Sequence, residues 1–240
     1  MTKTNRFASF AKTTMILSAA ALALSACSDK GASTTKTPDG KRTAFEVATD
    51  HALGSADAPV TVVEYASVTC GHCATWHTTV WPEFQAKYVD TGKVRYIYRE
   101  FPTGNVSLAN VGHLLANCAG EDKFFGMIGV QMKRQNQILS AGNKVKDEYV
   151  ALAKSAGMSE ADFDACMSNQ EQTERLQSVL DAGINAGVDG TPVFFINGEK
   201  YNTNVVFTVA DFDKVLAPLL GEDVPKDKPD TDDKSEKADH

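Results

Sequence analysis

The chain has 240 residues with 24 basic and 31 acidic side chains, which gives a formal net charge of −7. Residues 222–240 hold eight of the acids and four lysines, so the remainder of the chain is only mildly acidic. The sequence contains no basic patch of the kind that binds nucleic acid, and we expect no nucleic-acid partner. The length permits a single core, or one domain with an insertion.

The N-terminus is typical of an export signal. Lys3, Arg6 and Lys12 form a basic segment before an apolar run at 15–26 that is too short to span a bilayer comfortably. The run ends in Leu-Ser-Ala before Cys27, which resembles a bacterial lipobox, in which the cysteine is acylated and becomes the first residue. The alternative is an ordinary secretory signal that leaves Cys27 as a free thiol. Either signal predicts export to an oxidising compartment.

The first half of the remaining chain alternates between strand and helix patterns. In chain order, the predicted elements are a strand at 45–47, a strand at 60–65, a helix over 70–88 and a strand at 94–101. Pro82 lies within the helical pattern and should kink that helix, because proline removes one intrahelical hydrogen bond.

A helical stretch follows, after which strands return. Apolar residues recur at helical spacing in five segments, which lie at 108–118, 124–134, 147–156, 159–167 and 176–184. Asn197-Gly198 separates the apolar run at 193–196 from residues 199–201 and predicts a β-hairpin. Thr208 is expected to cap a final helix. The two β-rich halves can share one sheet only if the helices between them are an insertion.

Cys70-Gly71-His72-Cys73 stands where the second predicted strand meets the first predicted helix. At a helix start, unpaired N–H groups and the helix dipole favour a thiolate at Cys70, and a protonated His72 would favour it further. A disulfide formed by a low-pKa thiol is readily transferred to another protein. The pattern therefore favours dithiol redox chemistry, although His72 could also be a solvent-exposed residue without effect.

Metal binding and a static disulfide are the alternatives for this pair. A structural zinc site usually needs four ligands, and only His72 and His77 lie nearby without a second CxxC. Haem attachment requires a histidine after the second cysteine, where Ala74 stands. We therefore predict no metal and no other cofactor, and we interpret His77 as a partly exposed helix residue that is neither a base nor a ligand.

Several motifs together make the chain resemble the DsbA-like thiol–disulfide oxidoreductase family, in a lipoprotein form. They are Asp57-Ala-Pro-Val60, Glu64 six residues before Cys70, the CxxC itself, Arg99-Glu-Phe-Pro102 and Gly190-Thr-Pro-Val193. The resemblance covers roughly residues 44–221. It implies an α/β, thioredoxin-like fold with an all-helical domain inserted between its two halves.

The resemblance also implies a domain organisation. A signal peptide at 1–26 would precede acylated Cys27 and a flexible tether at 27–43. The thioredoxin-like domain would comprise 44–104 and 187–221, with the inserted helical domain at 105–186. Residues 222–240 would be a disordered acidic tail, in agreement with their composition.

In such a protein Cys70 would be the exposed nucleophile and Cys73 the buried resolving thiol. Glu64 shares a strand face with apolar residues, where a charge is costly to bury, and in the family such an acid accepts or relays the proton of Cys73. The alternative for Glu64 is a strand-edge residue that reaches solvent.

The Thr191–Pro192 bond of this family is cis and faces the CxxC, which frees the backbone of Thr191 to pair with an extended substrate. The alternative is an ordinary proline at a strand start. Cys118 and Cys166 lie on apolar helix faces, and some relatives carry a second disulfide in this region. We expect a structural disulfide between them, with two separately buried free thiols as the alternative.

The resulting hypothesis is a periplasm-facing, membrane-tethered dithiol oxidase of secreted proteins. Its partners would be the thiols of folding secreted proteins and, by analogy, an integral-membrane reoxidant, with a monomer as the default state. The first alternative is a disulfide reductase or isomerase that uses the same CxxC. The second is a non-catalytic lipoprotein, either a binding module or an antigen, with a static disulfide.

Overall fold

The computed structural model describes residue 47 and residues 50–201 and 208–225. The predicted signal peptide, Cys27, the tether and most of the acidic tail lie outside these residues. No helix in the described ranges combines the length and apolar character needed to cross a membrane.

The described residues form a five-stranded mixed sheet in the order β1-β3-β2-β4-β5. The strands are β1 (His51–Leu53), β2 (Val60–Ala66), β3 (Val94–Glu100), β4 (Val193–Ile196) and β5 (Glu199–Tyr201). Strands β2 and β3 are parallel, and the other neighbours are antiparallel. All seven residues of β2 are buried, as expected for a β-branched apolar run at the centre of a sheet.

The sheet register brings two distant segments together at one end of β2. Tyr65, next to the last residue of β2, pairs with Val193, the first residue of β4. The segment that leads out of β2 carries Cys70, and the segment that leads into β4 carries Pro192. The CxxC and the proline therefore meet at this edge although 121 positions separate Cys70 from Thr191.

Among the described residues, helices lie within the first group of strands, between the two groups and after the second. They are α1 (Gly71–Thr79), α2 (Trp81–Phe84), α3 (Val106–Cys118), α4 (Glu121–Lys133), α5 (Gln135–Ser140), α6 (Val145–Ser155), α7 (Glu160–Met167), α8 (Gln170–Asn185) and α9 (Val209–Leu220). Helices α3 to α8 all fall between β3 and β4, which confirms the thioredoxin-like fold with helices inserted between its halves. The domain boundaries themselves stay predictions.

The prediction of a single helix over 70–88 with a kink at Pro82 is wrong. Helix α1 ends at Thr79, α2 begins at Trp81 with Pro82 in its first turn, and a π-helical turn spans Gln85–Val89. Proline has no backbone N–H, which breaks a hydrogen bond in a helix interior but costs little in a first turn, where the N–H groups have no intrahelical partner. Pro82 therefore starts a new helix here instead of bending an existing one.

Two further elements differ from the prediction. Val47, the described residue of the strand predicted at 45–47, has no strand conformation, and residues 45–46 lie outside the described ranges. The first strand is instead the three-residue edge strand β1, which is too short for an alternating pattern to reveal it. Helix α5 was not predicted at all, because its six residues contain only two large apolar side chains.

The main core lies between the sheet and helices α1 and α9 and continues into the inserted helices, whose Phe124 and Leu152 belong to the same cluster. Trp76 of α1 is completely buried there, and its ring centroid lies 5.0 Å from that of Phe194 and 6.1 Å from that of Phe212. Because Trp76 and Cys73 lie on the same inward face of α1, burial of the tryptophan also fixes which cysteine of the CxxC points into the protein.

Candidate active site

Cys70 is the N-cap residue of α1. Its backbone is extended, and its sulfur accepts a hydrogen bond from the backbone N–H of Cys73 at 3.5 Å. In the dithiol form that the structure describes, the Cys70 thiol also donates to the backbone carbonyl of Thr191 at 3.2 Å. A half-buried sulfur at a helix N-terminus is well placed to carry negative charge.

These contacts lower the pKa of Cys70 from 9.0 to about 5. The largest cause is the hydrogen bond from the Cys73 side chain, which stabilises the Cys70 thiolate and lowers its pKa. Partial desolvation raises this pKa but has the smaller effect. The Thr191 side chain and the backbone N–H groups of Cys73 and His72 act in the same direction. At neutral pH the exposed cysteine of the pair is therefore a thiolate.

Cys73 has the opposite character. Its residue is fully buried, and burial is the main reason why its pKa lies well above 9.0. Its hydrogen bond to Cys70 and the negative charges of Cys70 and Glu64 raise this pKa further. A thiol with a lowered pKa and a thiol with a raised pKa therefore lie within a single helical turn.

Glu64 lies completely buried on β2, close enough to Cys73 for its charge to act on the pKa of that thiol. Its Oε2 atom accepts a hydrogen bond from the hydroxyl group of Tyr96 on β3, whose own pKa is raised, mainly by burial. Within the described residues its Oε1 atom has no hydrogen-bond partner. Glu64 is not the solvent-reaching edge residue that the sequence left open as an alternative.

The prediction that His77 is partly exposed is wrong. The side chain is only 5% exposed, and its Nε2 atom lies 3.1 Å from Oε2 of Glu64. This is a contact at ion-pair distance without hydrogen-bond geometry. The spacing contained the signal, because His77 follows Cys73 by four residues and must share its helix face.

The loop before β4 faces the CxxC. The Thr191–Pro192 peptide bond is cis, and the Thr191 carbonyl accepts from the Cys70 thiol as described above. The Thr191 hydroxyl lies 2.6 Å from the hydroxyl of Thr103, on the segment between β3 and α3. Thr191 thus contacts both Cys70 and a residue that the sequence did not single out.

The loop that carries Cys70 is also bound from the inserted helices. The side-chain amide of Gln135, the first residue of α5, donates to the carbonyls of Val68 at 2.9 Å and Cys70 at 3.0 Å. Gln135 is buried, so these two bonds are shielded from water. No sequence signal marked this residue, since its partners are 65 or more positions away.

His72, the second cysteine pair and Arg99 are further residues that the sequence singled out. The His72 side chain is exposed, and the contribution described above comes from its backbone N–H, so that the effect of ring charge stays a prediction. Cys118 and Cys166 form a disulfide with a Cα–Cα distance of 6.1 Å that links α3 to α7. Arg99 forms a buried ion pair with Asp50 and donates to Tyr65, away from the cysteines.

Comparison with known families agrees with this geometry. The family model described as thioredoxin matches residues 46–216, which is more than half of the chain. The chain belongs to this thioredoxin family. The match includes both cysteines of the CxxC and the cis-proline loop.

This thioredoxin-family chain is similar to proteins from Rickettsia. It is 33% identical over 166 residues to a Rickettsia bellii protein that is provisionally named a protein-disulfide oxidoreductase. The match covers 68% of this chain and 63% of that relative, so the chain spans less than two thirds of the relative's length.

Solved structures show the same fold. The crystal structure of Wolbachia pipientis alpha-DsbA1 has a TM-score of 0.67 and 25% identity, covering 73% of this chain and 93% of that one. Oxidised BdbD from Bacillus subtilis has a TM-score of 0.61 at 17% identity, covering 72% and 93%, respectively, and this likeness concerns the fold alone. Within the thioredoxin family the chain is therefore DsbA-like.

Proposed function

We propose that the chain is a protein-disulfide oxidoreductase that donates its Cys70–Cys73 disulfide to thiols of exported proteins. The observation that carries this proposal is the position of Cys70 at the N-cap of α1, where its sulfur accepts from the backbone N–H of Cys73 and faces the cis-proline loop. These surroundings lower its pKa to about 5. A stabilised thiolate favours the reduced enzyme, and the corresponding disulfide is then a strong oxidant. The same environment gives Cys70 a good leaving-group sulfur.

The reaction begins when a substrate thiolate attacks Cys70 in the oxidised enzyme. A substrate–Cys70 disulfide forms while the Cys70–Cys73 bond breaks, and Cys73 departs with the electron pair. A second substrate thiolate then attacks the substrate sulfur of the mixed disulfide, forms the substrate disulfide and releases Cys70 as a thiolate. Two substrate thiols are oxidised and the enzyme disulfide is reduced.

Cys73 needs a proton in this sequence because its pKa lies well above 9.0. We infer that Glu64 delivers it, since this buried carboxyl group is close enough to Cys73 for its charge to raise the pKa of the thiol, and in its protonated form it can pass a proton on. His77, in contact with Glu64 and slightly exposed, would restore the proton from the solvent side. Tyr96 holds the carboxyl group in place through its hydrogen bond.

Substrate binding is assigned to the backbone of Thr191 and to Pro192. Both are only partly buried and lie beside Cys70, where an extended segment with a thiol could pair with the loop. Selection among substrates would then depend on the accessibility of a thiol in an unfolded or folding chain more than on a deep pocket.

The place of the reaction follows from the N-terminal sequence. We propose that Cys27 is lipidated and tethers the enzyme to a membrane, facing the periplasm, with an integral-membrane protein as reoxidant. The oxidising compartment is compatible with the Cys118–Cys166 disulfide. The division into 44–104 with 187–221, and 105–186, is proposed as the domain organisation of this enzyme.

Oxidative folding of a reduced, unfolded test protein checks the proposal. The oxidised chain should restore activity to the test protein and become reduced in equal amount, whereas the Cys70→Ser variant should not. Transfer only in the opposite direction, from reduced enzyme to a substrate disulfide, would instead favour a reductase or isomerase. If neither direction occurs, the chain is a non-catalytic module.

A further inference from the structure

The hydroxyl group of Thr103 has a place in the active site that the reaction described above does not use. Its Oγ1 atom lies 2.6 Å from Oγ1 of Thr191. The backbone carbonyl of Thr191 in turn accepts a hydrogen bond from the Cys70 thiol at 3.2 Å. The Thr191 side chain is also among the groups that lower the pKa of Cys70. One residue, Thr191, therefore separates Thr103 from the Cys70 sulfur.

Thr103 is fixed by the same loop that carries Cys70. Its backbone carbonyl accepts hydrogen bonds from Thr69 Oγ1 at 2.5 Å and from Ser67 Oγ at 3.1 Å, and both of these residues are buried. The next residue, Gly104, has a φ of +70°, and a Cβ atom there would lie 2.8 Å from the Thr69 carbonyl oxygen. The two backbones thus approach more closely than a side chain would permit.

The direction of the hydrogen bonds follows from proton counting. Each threonine hydroxyl carries one proton, and a thiolate can only accept. When Thr191 donates to the Cys70 thiolate, its hydroxyl has no proton left for Thr103. In that state Thr103 must be the donor, and the chain runs from Thr103 to Thr191 to Cys70. Successive hydrogen bonds of this kind polarise and strengthen one another.

We propose that Thr103 is a positioning residue, whose hydroxyl orients that of Thr191 as a donor to the Cys70 thiolate. The Thr103 hydroxyl thereby stabilises the reduced form of the pair and makes its disulfide more oxidising. The effect of this role on disulfide transfer rests on the proposed function. The effect on the Cys70 thiolate itself does not, because it requires no substrate protein.

The Thr103→Val variant tests the proposal, since valine keeps the shape of the side chain and the backbone carbonyl but removes the hydroxyl. Two quantities are measured on the full chain: the pKa of Cys70, from the ultraviolet absorbance of the thiolate, and the equilibrium constant for reduction by glutathione. The pKa should rise and the constant should fall about two- to tenfold, the range that one net hydrogen bond supports. Thr103→Ser should stay close to the wild type.

Two further variants separate this role from a general effect on the fold. Thr78→Val removes an exposed hydroxyl on α1 that donates to the Ala74 carbonyl at 2.7 Å, and it should change neither quantity. Thr191→Val should shift both quantities in the same direction as Thr103→Val, and the double variant should add little, because the two hydroxyls act as one chain.

The proposal is overturned if Thr103→Val leaves the pKa of Cys70 and the equilibrium constant unchanged while Thr191→Val alters them. It is equally overturned if Thr103→Ser is as impaired as Thr103→Val. Should the valine variant fail to fold, Thr103→Ala and Thr103→Ser are compared by the same criteria. Failure of the proposed function is distinguishable, because the wild type would then show no reversible couple with glutathione.

Discussion

Cys70 and Cys73 are three residues apart, yet their surroundings push their pKa values in opposite directions. Cys70 is half-buried at a helix N-terminus with several donors to its sulfur, whereas Cys73 is enclosed by the core. In the proposed reaction, this difference would make Cys70 the sulfur that is attacked and that leaves, and Cys73 the sulfur that must be protonated. The difference between the two pKa values depends on individual contacts, and single substitutions should therefore change it measurably.

The pH dependence of alkylation tests the thiolate at Cys70. Because its pKa is lowered, the thiolate is present above about pH 5 and is lost as the pH falls through that value. The rate of reaction of the reduced chain with iodoacetamide should reach half its plateau near pH 5. Cys70→Ser should remove this phase, which separates it from any reaction of Cys27. A midpoint close to 9.0, the ordinary value for a cysteine, would contradict the assignment.

Replacement of Glu64 by glutamine tests its role as proton donor. The Glu64→Gln variant keeps the size of the side chain but cannot deliver a proton to Cys73, and the single-turnover rate of disulfide transfer to a reduced peptide should fall about 10²-fold. Tyr96→Phe, which removes the hydrogen bond to Glu64 but keeps the carboxyl group, is the control and should be affected less. An unchanged rate in Glu64→Gln would show that the proton comes from elsewhere.

At the scale of secondary structure elements, the site depends on two strand ends and one helix start. Strand β2 leads into the CxxC, and β4 begins directly after the cis-proline. The pairing of these two strands holds both segments at one edge of the sheet. Helix α8 then covers part of the sheet, and Gly183 allows its close approach. A Cβ atom on Gly183 would lie 2.8 Å from a ring carbon of Tyr65 and 2.9 Å from ring carbons of Phe101.

The Gly183→Ala variant should therefore be destabilised by about 1–3 kcal/mol, the typical cost of overpacking a core. Gly129→Ala on α4 is the matched control, because no heavy atom lies within 4 Å of the Cβ position and alanine is the better helix former. That variant should gain roughly 0.5–1 kcal/mol. Urea unfolding measures both changes, and equal stability of the two variants would contradict the close packing of α8.

Local patterns predicted much of this arrangement, and the errors have physical reasons. The CxxC at a helix start, the Asn197-Gly198 hairpin and the Thr208 cap were predictable because each depends on a few adjacent residues. The break before Pro82 was taken as a kink, because the pattern of apolar residues continues across it. The contacts of Gln135 and Thr103 were not predictable, since they join segments that are distant in the sequence.

At the scale of the whole molecule, the inserted helices contact the loop that carries Cys70 and are cross-linked to each other. Gln135 connects α5 to the loop that precedes α1, and the Cys118–Cys166 disulfide closes a sequence separation of 48 residues between α3 and α7. The disulfide restricts the unfolded chain, while the glutamine bonds position the site in the folded one. Loss of the disulfide should therefore lower the free energy of unfolding without changing the properties of the Cys70–Cys73 pair.

The double variant Cys118→Ala with Cys166→Ala should lose about 2–4 kcal/mol of unfolding free energy, because the unfolded chain regains the freedom that the cross-link removed. The pKa of Cys70 should remain near its wild-type value, since neither of these cysteines is among the contacts that lower it. Denaturant unfolding and thiolate absorbance measure the two effects. A large shift in that pKa would mean that the disulfide acts on the catalytic pair.

The central claim is that the surroundings of Cys70 and Cys73 make their disulfide a strong oxidant. Its most direct test is the reduction potential of the pair, measured at equilibrium in glutathione buffers with the Cys118–Cys166 disulfide intact. We predict a value of about −120 to −180 mV, as for disulfide donors. A value near about −270 mV, as for a reductase, would contradict the account.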